Sequence, residues 1–499
     1  MSKIKSILMF AACVLMISSL TSCNKSPDDA ASGSVSGIAT MEKPAVYTVP
    51  EGDEKSNDYI ISVWTEDNAE KQSVDCFTAK VGTSANGLDS VSYEKMSFCM
   101  FDFDFSCPVY ISVTPSGTRK NVAVLPESAG AEYSYENGTV LIKITRPSKL
   151  SVEFDGDIYH NLFVFAGEYD DNKPQASDEN VIYYGPGCHD AGEIALDSDQ
   201  VLYIDGGAVV YGHITASFAD NIRICGSGIL DGSKIDHSYY GQRKKMLDIT
   251  NCKNLVIDGI TLRDAPTWGV SLTYCEDVEI NNVKQISYNF NSDGFDLMAC
   301  ENVVVDDAFV RNYDDNVSIK ANGDRDSRNI IVQNSVLWAD CAHNMLVGPE
   351  AKSAEYENVF SNITFRNIDV LESKETSEFY RGVMAMTCTD NSIFDGILWE
   401  DIRVERMTNS RMLNFRYSTD YGTYVGKVIR NVTVKNVTSK VPPTTPDLIL
   451  GEEDRHIENV VIENMVVNGK RITHDNNNFG STTLKFVDSL IIDGIEKQY

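Results

Sequence analysis

From about Val181 onward the chain repeats one short pattern: Asn or Asp, apolar, any residue, apolar, two of any kind, apolar. It starts at Asn254, Asp277, Asn302, Asn329, Asn362, Asn431 and Asn459, with a variant at Gly396, giving spacings of 23, 25, 27, 33, 34, 35 and 28 residues. Three positions into each repeat stands a large apolar residue: Ile257, Ile280, Val305, Val332, Phe365, Trp399, Val434 and Ile462. Five positions in stand Gly259, Asn282, Asp307, Asn334, Asn367, Asp401, Asn436 and Asn464, residue types that tolerate left-handed turn conformations. Short strands bent at a fixed turn and repeated once per coil predict a right-handed parallel β-helix over residues 175–499. A flat parallel sheet would need intervening helices, and no long amphipathic helical pattern occurs here.

Residues 43–170 follow a different pattern. Alternating stretches such as Tyr59 to Trp64, Val109 to Val113 and Val140 to Ile144 are separated by turn residues, including Asn86-Gly87, Pro115-Ser116-Gly117 and Asn137-Gly138. They predict a small β-sandwich ahead of the β-helix, with the linker at Asp170 to Pro174. The fold class expected is therefore all-β.

The N-terminus adds a destination. Lys3 and Lys5 precede an apolar run from Ile7 to Leu20, and then Leu20-Thr21-Ser22-Cys23, which resembles a bacterial lipobox. That implies a signal peptide over residues 1–22, lipidation of Cys23 and a flexible tether over residues 23–42. An outer-membrane lipoprotein is expected, on the periplasmic face or the cell surface, touching the membrane only through its lipid. The formal net charge of -30 argues against nucleic acid and densely charged polyanions as partners. A monomer is expected.

Of the 12 cysteines, Cys13 and Cys23 lie in this leader, and the rest contain no CxxC spacing, so no zinc site is expected. Cys252, Cys275 and Cys300 fall at equivalent repeat positions and read as a ladder of small buried side chains. Cys76, Cys99 and Cys107 could supply one disulfide in the sandwich.

The chemistry concentrates on one wall. Counted from their coil starts, Trp268, Asp293, the pair Asp314-Asp315 and His343 fall at nearly the same place on four successive coils. Neighbouring coils lie roughly 4.8 Å apart, so these side chains can surround one sugar linkage. Hydrolysis of a glycosidic bond needs one carboxyl protonated and another ionised, and crowding carboxyls separates their proton affinities. Adjacent strand residues point to opposite faces, so Asp314 and Asp315 share a site only if the chain turns there. Asp293, Asp314, Asp315 and His343 are the catalytic candidates. Trp268, Asn291, Asp296, Lys320 and Arg381 are the candidate substrate contacts, with turn-anchoring as the alternative for Asp296 and a plain surface role for Arg381. Trp268, Tyr288, Phe290 and Tyr313 could stack on sugar rings or simply pack. His189 and His213 stand apart and read as structural. No metal or cofactor is expected.

Asn291-Ser292-Asp293-Gly294-Phe295-Asp296, Asp314-Asp315-Asn316-Val317-Ser318-Ile319-Lys320 and Ala342-His343-Asn344 resemble the motifs of glycoside hydrolase family 28, the polygalacturonases. The same clan includes the dextranase family 49, which also places a β-sandwich before its β-helix. The resemblance implies an inverting hydrolase acting on a polysaccharide, with Asp314 as general acid and Asp293 and Asp315 activating water. Asp296 is the second choice as base. The family's Arg-Ile-Lys is replaced by Arg381-Gly382-Val383, leaving only Arg381 for a uronate carboxylate. Two other readings remain: a β-helix polysaccharide lyase, which would need more bases than this wall offers, and a non-catalytic glycan-binding protein.

Overall fold

The computed structural model describes residues 41–86, 90–237, 243–351, 353, 355–375, 377 and 380–499. Cys23, the leader and most of the tether lie outside them. Helix is confined, among the described residues, to one short turn at Glu127–Ala129. Everything else regular is strand, in two sheets of 10 and 30 strands.

The first sheet begins at Ala45–Val46 and its last strand in sequence is Leu162–Glu168. It curls around a single apolar core. Tyr135, from the strand at one end of the order, packs its ring 5.9 Å from that of Phe154, from a strand near the other end. Two strands, Ser90–Phe103 and Leu162–Glu168, are buried on both faces over much of their length. One face, with Cys99, Phe101 and Val164, joins the sandwich core. The other, with Phe98, Met100, Phe163 and Phe165, packs on Val209, Phe309 and Trp338 of the second sheet. Burial on both sides explains why Phe98 to Phe101 reads as an apolar run rather than an alternation.

The second sheet runs from Val181–Tyr184 to Ile495–Lys497, and its strands pair in parallel with their equivalents one coil later, apart from the short antiparallel strands Lys470–Arg471 and Ile495–Lys497 near its end. Phe295, for example, lies between Val270 and Val317, and Val317 beside Met345. This is the parallel β-helix. Its inward residues, among them Ile257, Ile280, Val305, Val332, Phe365, Trp399, Val434 and Ile462, form one continuous core. The turn column five positions into each repeat is left-handed throughout, from Gly259 at φ 82° to Asn464 at φ 51°. The column that starts each repeat is left-handed too, from Asn254 at φ 53° to Asn459 at φ 52°.

The cysteines settle without cross-links. Cys76, Cys99 and Cys107 are free, so the expected disulfide is absent among the described residues. Cys252, Cys275 and Cys300 are buried thiols in a column, with Cys275 and Cys300 each donating to a carbonyl of the preceding coil. His189 is tied to the Gly185 carbonyl and His213 to Lys244, away from the catalytic candidates.

Candidate active site

Main-chain bonds fix the register of the wall. Gly269 N–H donates to the Asp293 carbonyl, Gly294 N–H to Asp315 and Asn316 N–H to His343, each at 2.8 Å. Trp268, Asp293, Asp315 and His343 therefore stack on four consecutive coils. Gly294 is required within this stack, because a Cβ there would sit 2.1 Å from the Asn316 carbonyl oxygen. Asp314 joins from the neighbouring position because the chain bends between its strands Phe309–Asn312 and Val317–Lys320. Amides build that bend. Asn312 Nδ2 donates to the Asp315 carbonyl at 3.2 Å, and Asn316 Nδ2 to Asn312 Oδ1 at 2.6 Å and to the Trp338 carbonyl at 3.0 Å. Asn344 Nδ2 then donates to Asn316 Oδ1 at 2.9 Å. As a result the carboxyl oxygens of Asp293, Asp314 and Asp315 approach one another within 4.8 Å.

Their environments differ. Burial pushes Asp293 well above the usual carboxylate range, and the charges of Asp296 and Asp314 add to the effect. Asp314 is raised likewise by burial and by the adjacent Asp315. Burial also acts to raise Asp315, but His343 and Lys320 outweigh it and hold that carboxyl below its ordinary value. His343 supplies two bonds, its main-chain N–H at 3.0 Å and ring Nδ1 at 2.8 Å, both to Asp315 Oδ1. Two neighbouring carboxyls are thus driven in opposite directions, and the coupling belongs to the cluster rather than to any one member.

The site opens into a cleft of about 660 Å³ lined by Trp268, Asn291, Asp293, Asp314, Asp315 and Lys320 among others. Asn291 accepts a bond from Arg243 at 2.8 Å. Lys320 is buried, its ammonium 2.7 Å from Asp296, 2.9 Å from Glu350 and 3.5 Å from Asp293. It also lies 4.0 Å from the centre of the Trp268 ring. The three carboxylates pair this ammonium, and it still lines the cleft. Asp296 lies under the wall in strand Phe295–Met298, fully buried, so it anchors Lys320 rather than facing the cleft. Arg381 is half-buried and does not line the cleft. Phe290 and Tyr313 do line it, but Tyr288 is turned to the sandwich, where it packs 4.7 Å from Tyr93.

Several lining residues escaped the sequence reading. Lys245 could have been counted, since the pairing of Leu247 with Val270 puts it one coil before Trp268. Glu350, Glu375, Tyr380 and Tyr421 sit in insertions between repeats, where no period assigns them a position.

The pattern of glycosyl hydrolases family 28 matches residues 207–483. Probable exopolygalacturonase B of Neosartorya fischeri is 24% identical over 242 residues, 44% of this chain and 52% of that protein. The exopolygalacturonase of Cochliobolus carbonum is 26% identical over 167 residues, 31% of this chain and 36% of that one. The chain thus spans about half the length, or less, of these curated relatives. Among solved structures, Dex49A from Penicillium minioluteum shares the fold, with a TM-score of 0.67 and 15% identity over 90% of this chain and 96% of that one. With more than half of its length matched by the family pattern, the chain belongs to glycosyl hydrolases family 28.

Proposed function

We propose that this protein is a glycoside hydrolase that cleaves polygalacturonan or a related polysaccharide with inversion at the anomeric carbon. The observation that carries the reading is the cluster of three carboxyls in the cleft, where burial and Asp315 raise the proton affinity of Asp314 while His343 and Lys320 lower that of Asp315 beside it. Asp314 donates that proton to the glycosidic oxygen as its bond to the anomeric carbon breaks. A water held by Asp293 and Asp315 attacks the same carbon and gives its proton to the carboxylate. Asp314 ends as a carboxylate, and exchange with solvent restores the starting state. The exopolygalacturonase names of the curated relatives support a galacturonan substrate.

One measurement favours a second reading. One oxygen from each of the three carboxyls lies within 4.8 Å of the others, which is a crowded arrangement for an inverting site. Direct attack by an aspartate, with retention, would suit that spacing. Inversion is preferred because one water can bridge two oxygens about 5 Å apart through ordinary hydrogen bonds, and three carboxyls supply an acid and two such partners.

The experiment is release of reducing ends from polygalacturonate, with dextran alongside, for the purified protein and its Asp314→Asn variant. Loss of about 10²–10⁴-fold in the variant, with the fold unchanged, is expected for removal of a general acid. Undiminished release would remove Asp314 from the mechanism. Proton NMR of the first-formed product decides the stereochemistry: the anomer opposite to the substrate means inversion, the same anomer retention.

A further inference from the structure

We propose that Tyr380 is a positioning residue of this site, its hydroxyl orienting the Asp315 carboxylate and its ring holding the His343 imidazole. The assignment rests on the hydrolase reading above for its consequence, but its geometry stands separately. Asp315 Oδ1 takes both bonds from His343, whereas Oδ2 takes the Tyr380 hydroxyl at 2.9 Å. With both oxygens bound from opposite partners, the carboxylate cannot turn about its last torsion, which is otherwise soft. The Tyr380 ring meets the His343 ring edge-on with centroids 4.2 Å apart. One side chain therefore fixes the carboxylate and its other donor together.

Tyr380 is itself well held. Its ring packs 5.5 Å from that of Tyr421, which lies on the insertion of the following coil. Upstream on its own insertion, Glu375 accepts the Ala342 N–H at 3.1 Å and the Cys341 thiol at 3.4 Å, tying this loop to the turn that carries His343. Burial and the nearby aspartates push the Tyr380 hydroxyl well above its usual range, so it remains a donor wherever the enzyme would work. A phenol donating to a carboxylate is a charge-assisted bond, among the stronger ones available.

Every charged neighbour of Asp315 bears on the outcome. Asp293 and Asp296 on the preceding coil and Asp314 on its own favour the protonated form. Lys320 on its own coil, His343 on the next and the Tyr380 hydroxyl favour the ionised form. Tyr421 is raised to about 12 and stays neutral. Removing the Tyr380 hydroxyl takes one donor from the ionised side and changes nothing else in this set.

Tyr380→Phe keeps the ring and deletes that donor. On polygalacturonate, kcat is expected to fall about tenfold with KM nearly unchanged, and the acidic limb of kcat/KM to move up by about one pH unit. A second readout needs no substrate: pH-difference infrared spectra of protein carrying ¹³C-aspartate, with the Asp315 band identified by its loss in Asp315→Asn. The midpoint of that band should move upward in Tyr380→Phe. An unchanged acidic limb or an unchanged midpoint overturns the proposal, even if activity falls. If the parent protein releases no ends from polygalacturonate, the substrate reading fails, while the infrared midpoint still decides the role of Tyr380.

Discussion

Asp447 shows, away from the reacting groups, how strongly burial governs carboxyls in this fold. It accepts the N–H groups of Met412 and Leu413 at 2.8 and 3.0 Å, yet burial still pushes it up to about 6. Asp296 is likewise raised by burial to about 6 despite Lys320, and burial raises Asp293 and Asp314 well above the ordinary carboxylate value as well. Folded pKa values above the unfolded ones mean that the folded chain binds more protons between roughly pH 4 and the raised values. The associated stability is fully present below about pH 4 and is lost as pH rises through 6 and beyond. Asp315, shifted downward, acts in the opposite sense only below about pH 4. The net charge of -30 adds self-repulsion in the same direction as the raised carboxyls. Tm is therefore expected to be higher at pH 5 than at pH 7.5 in a thermal unfolding series. A higher Tm at pH 7.5 would show that these groups are not buried as described. Counting along the repeat located Asp293, Asp315 and His343, because a period converts sequence distance into height. It gave no means of telling that Lys320 is saturated by Asp296 and Glu350, since Glu350 stands outside the repeat.

Between residue and molecule, the repeating element is a coil pinned at two left-handed corners. The corner amides also bond from coil to coil: Asn329 Nδ2 donates to Asn302 Oδ1 at 3.0 Å and Asn362 Nδ2 to Asn329 Oδ1 at 2.9 Å. A second ladder runs through Asn334 and Asn367, at 2.7 Å. Asparagine suits both tasks, since it tolerates φ > 0 and its amide can donate upward while accepting from below. The two contributions can be separated at Asn329, whose φ is 54°. Asn329→Ala is expected to lose about 1–2 kcal/mol in urea unfolding, largely from the strained corner. Asn329→Gly relieves that strain, although it also lacks the amide, and should recover most of the loss. Equal losses in the two variants would place the stabilisation in the ladder instead. The +5 column was legible as a turn from its composition, whereas the left-handed character of the first column emerged only from the backbone.

At the scale of the whole molecule, the sandwich is built into the β-helix rather than hung beside it. Phe163 meets Phe309 and Trp338 ring to ring, with centroids 4.6 and 5.9 Å away. Buried ions cross the same junction. Arg263 of the β-helix is paired with Asp53, in the turn before strand Lys55–Thr65 of the first sheet, at 2.7 Å and with Asp231 of its own sheet. Arg311 pairs with Asp340 at 2.9 Å and donates to the Ile158 carbonyl at 2.8 Å. Asp53→Ala leaves Arg263 paired with Asp231 but takes away its two bonds to Asp53, so it should cost about 1–3 kcal/mol. The parent is expected to unfold in a single calorimetric transition, because the two sheets share one apolar cluster. A sandwich that melts separately, with Asp53→Ala affecting only that step, would contradict the shared core. The junction also reaches the cleft. Gly82 of the sandwich lies so close to Tyr313 that a Cβ would sit 2.1 Å from its ring.

The sequence alone determined the parallel β-helix, the wall on which the aspartates stack and the resemblance to family 28. All three follow from a local pattern repeated at nearly constant spacing, and burial of one face per strand forces such a pattern into stacked coils. Only the tertiary structure decided how the proton affinities of Asp314 and Asp315 are driven apart, that Lys320 is paired with Asp296 and Glu350, and that Tyr288 packs on Tyr93. It alone brought Tyr380 to Asp315, 65 residues later in the chain. Those outcomes depend on insertions and on a junction between two sheets, where neighbours in space have no fixed separation in sequence.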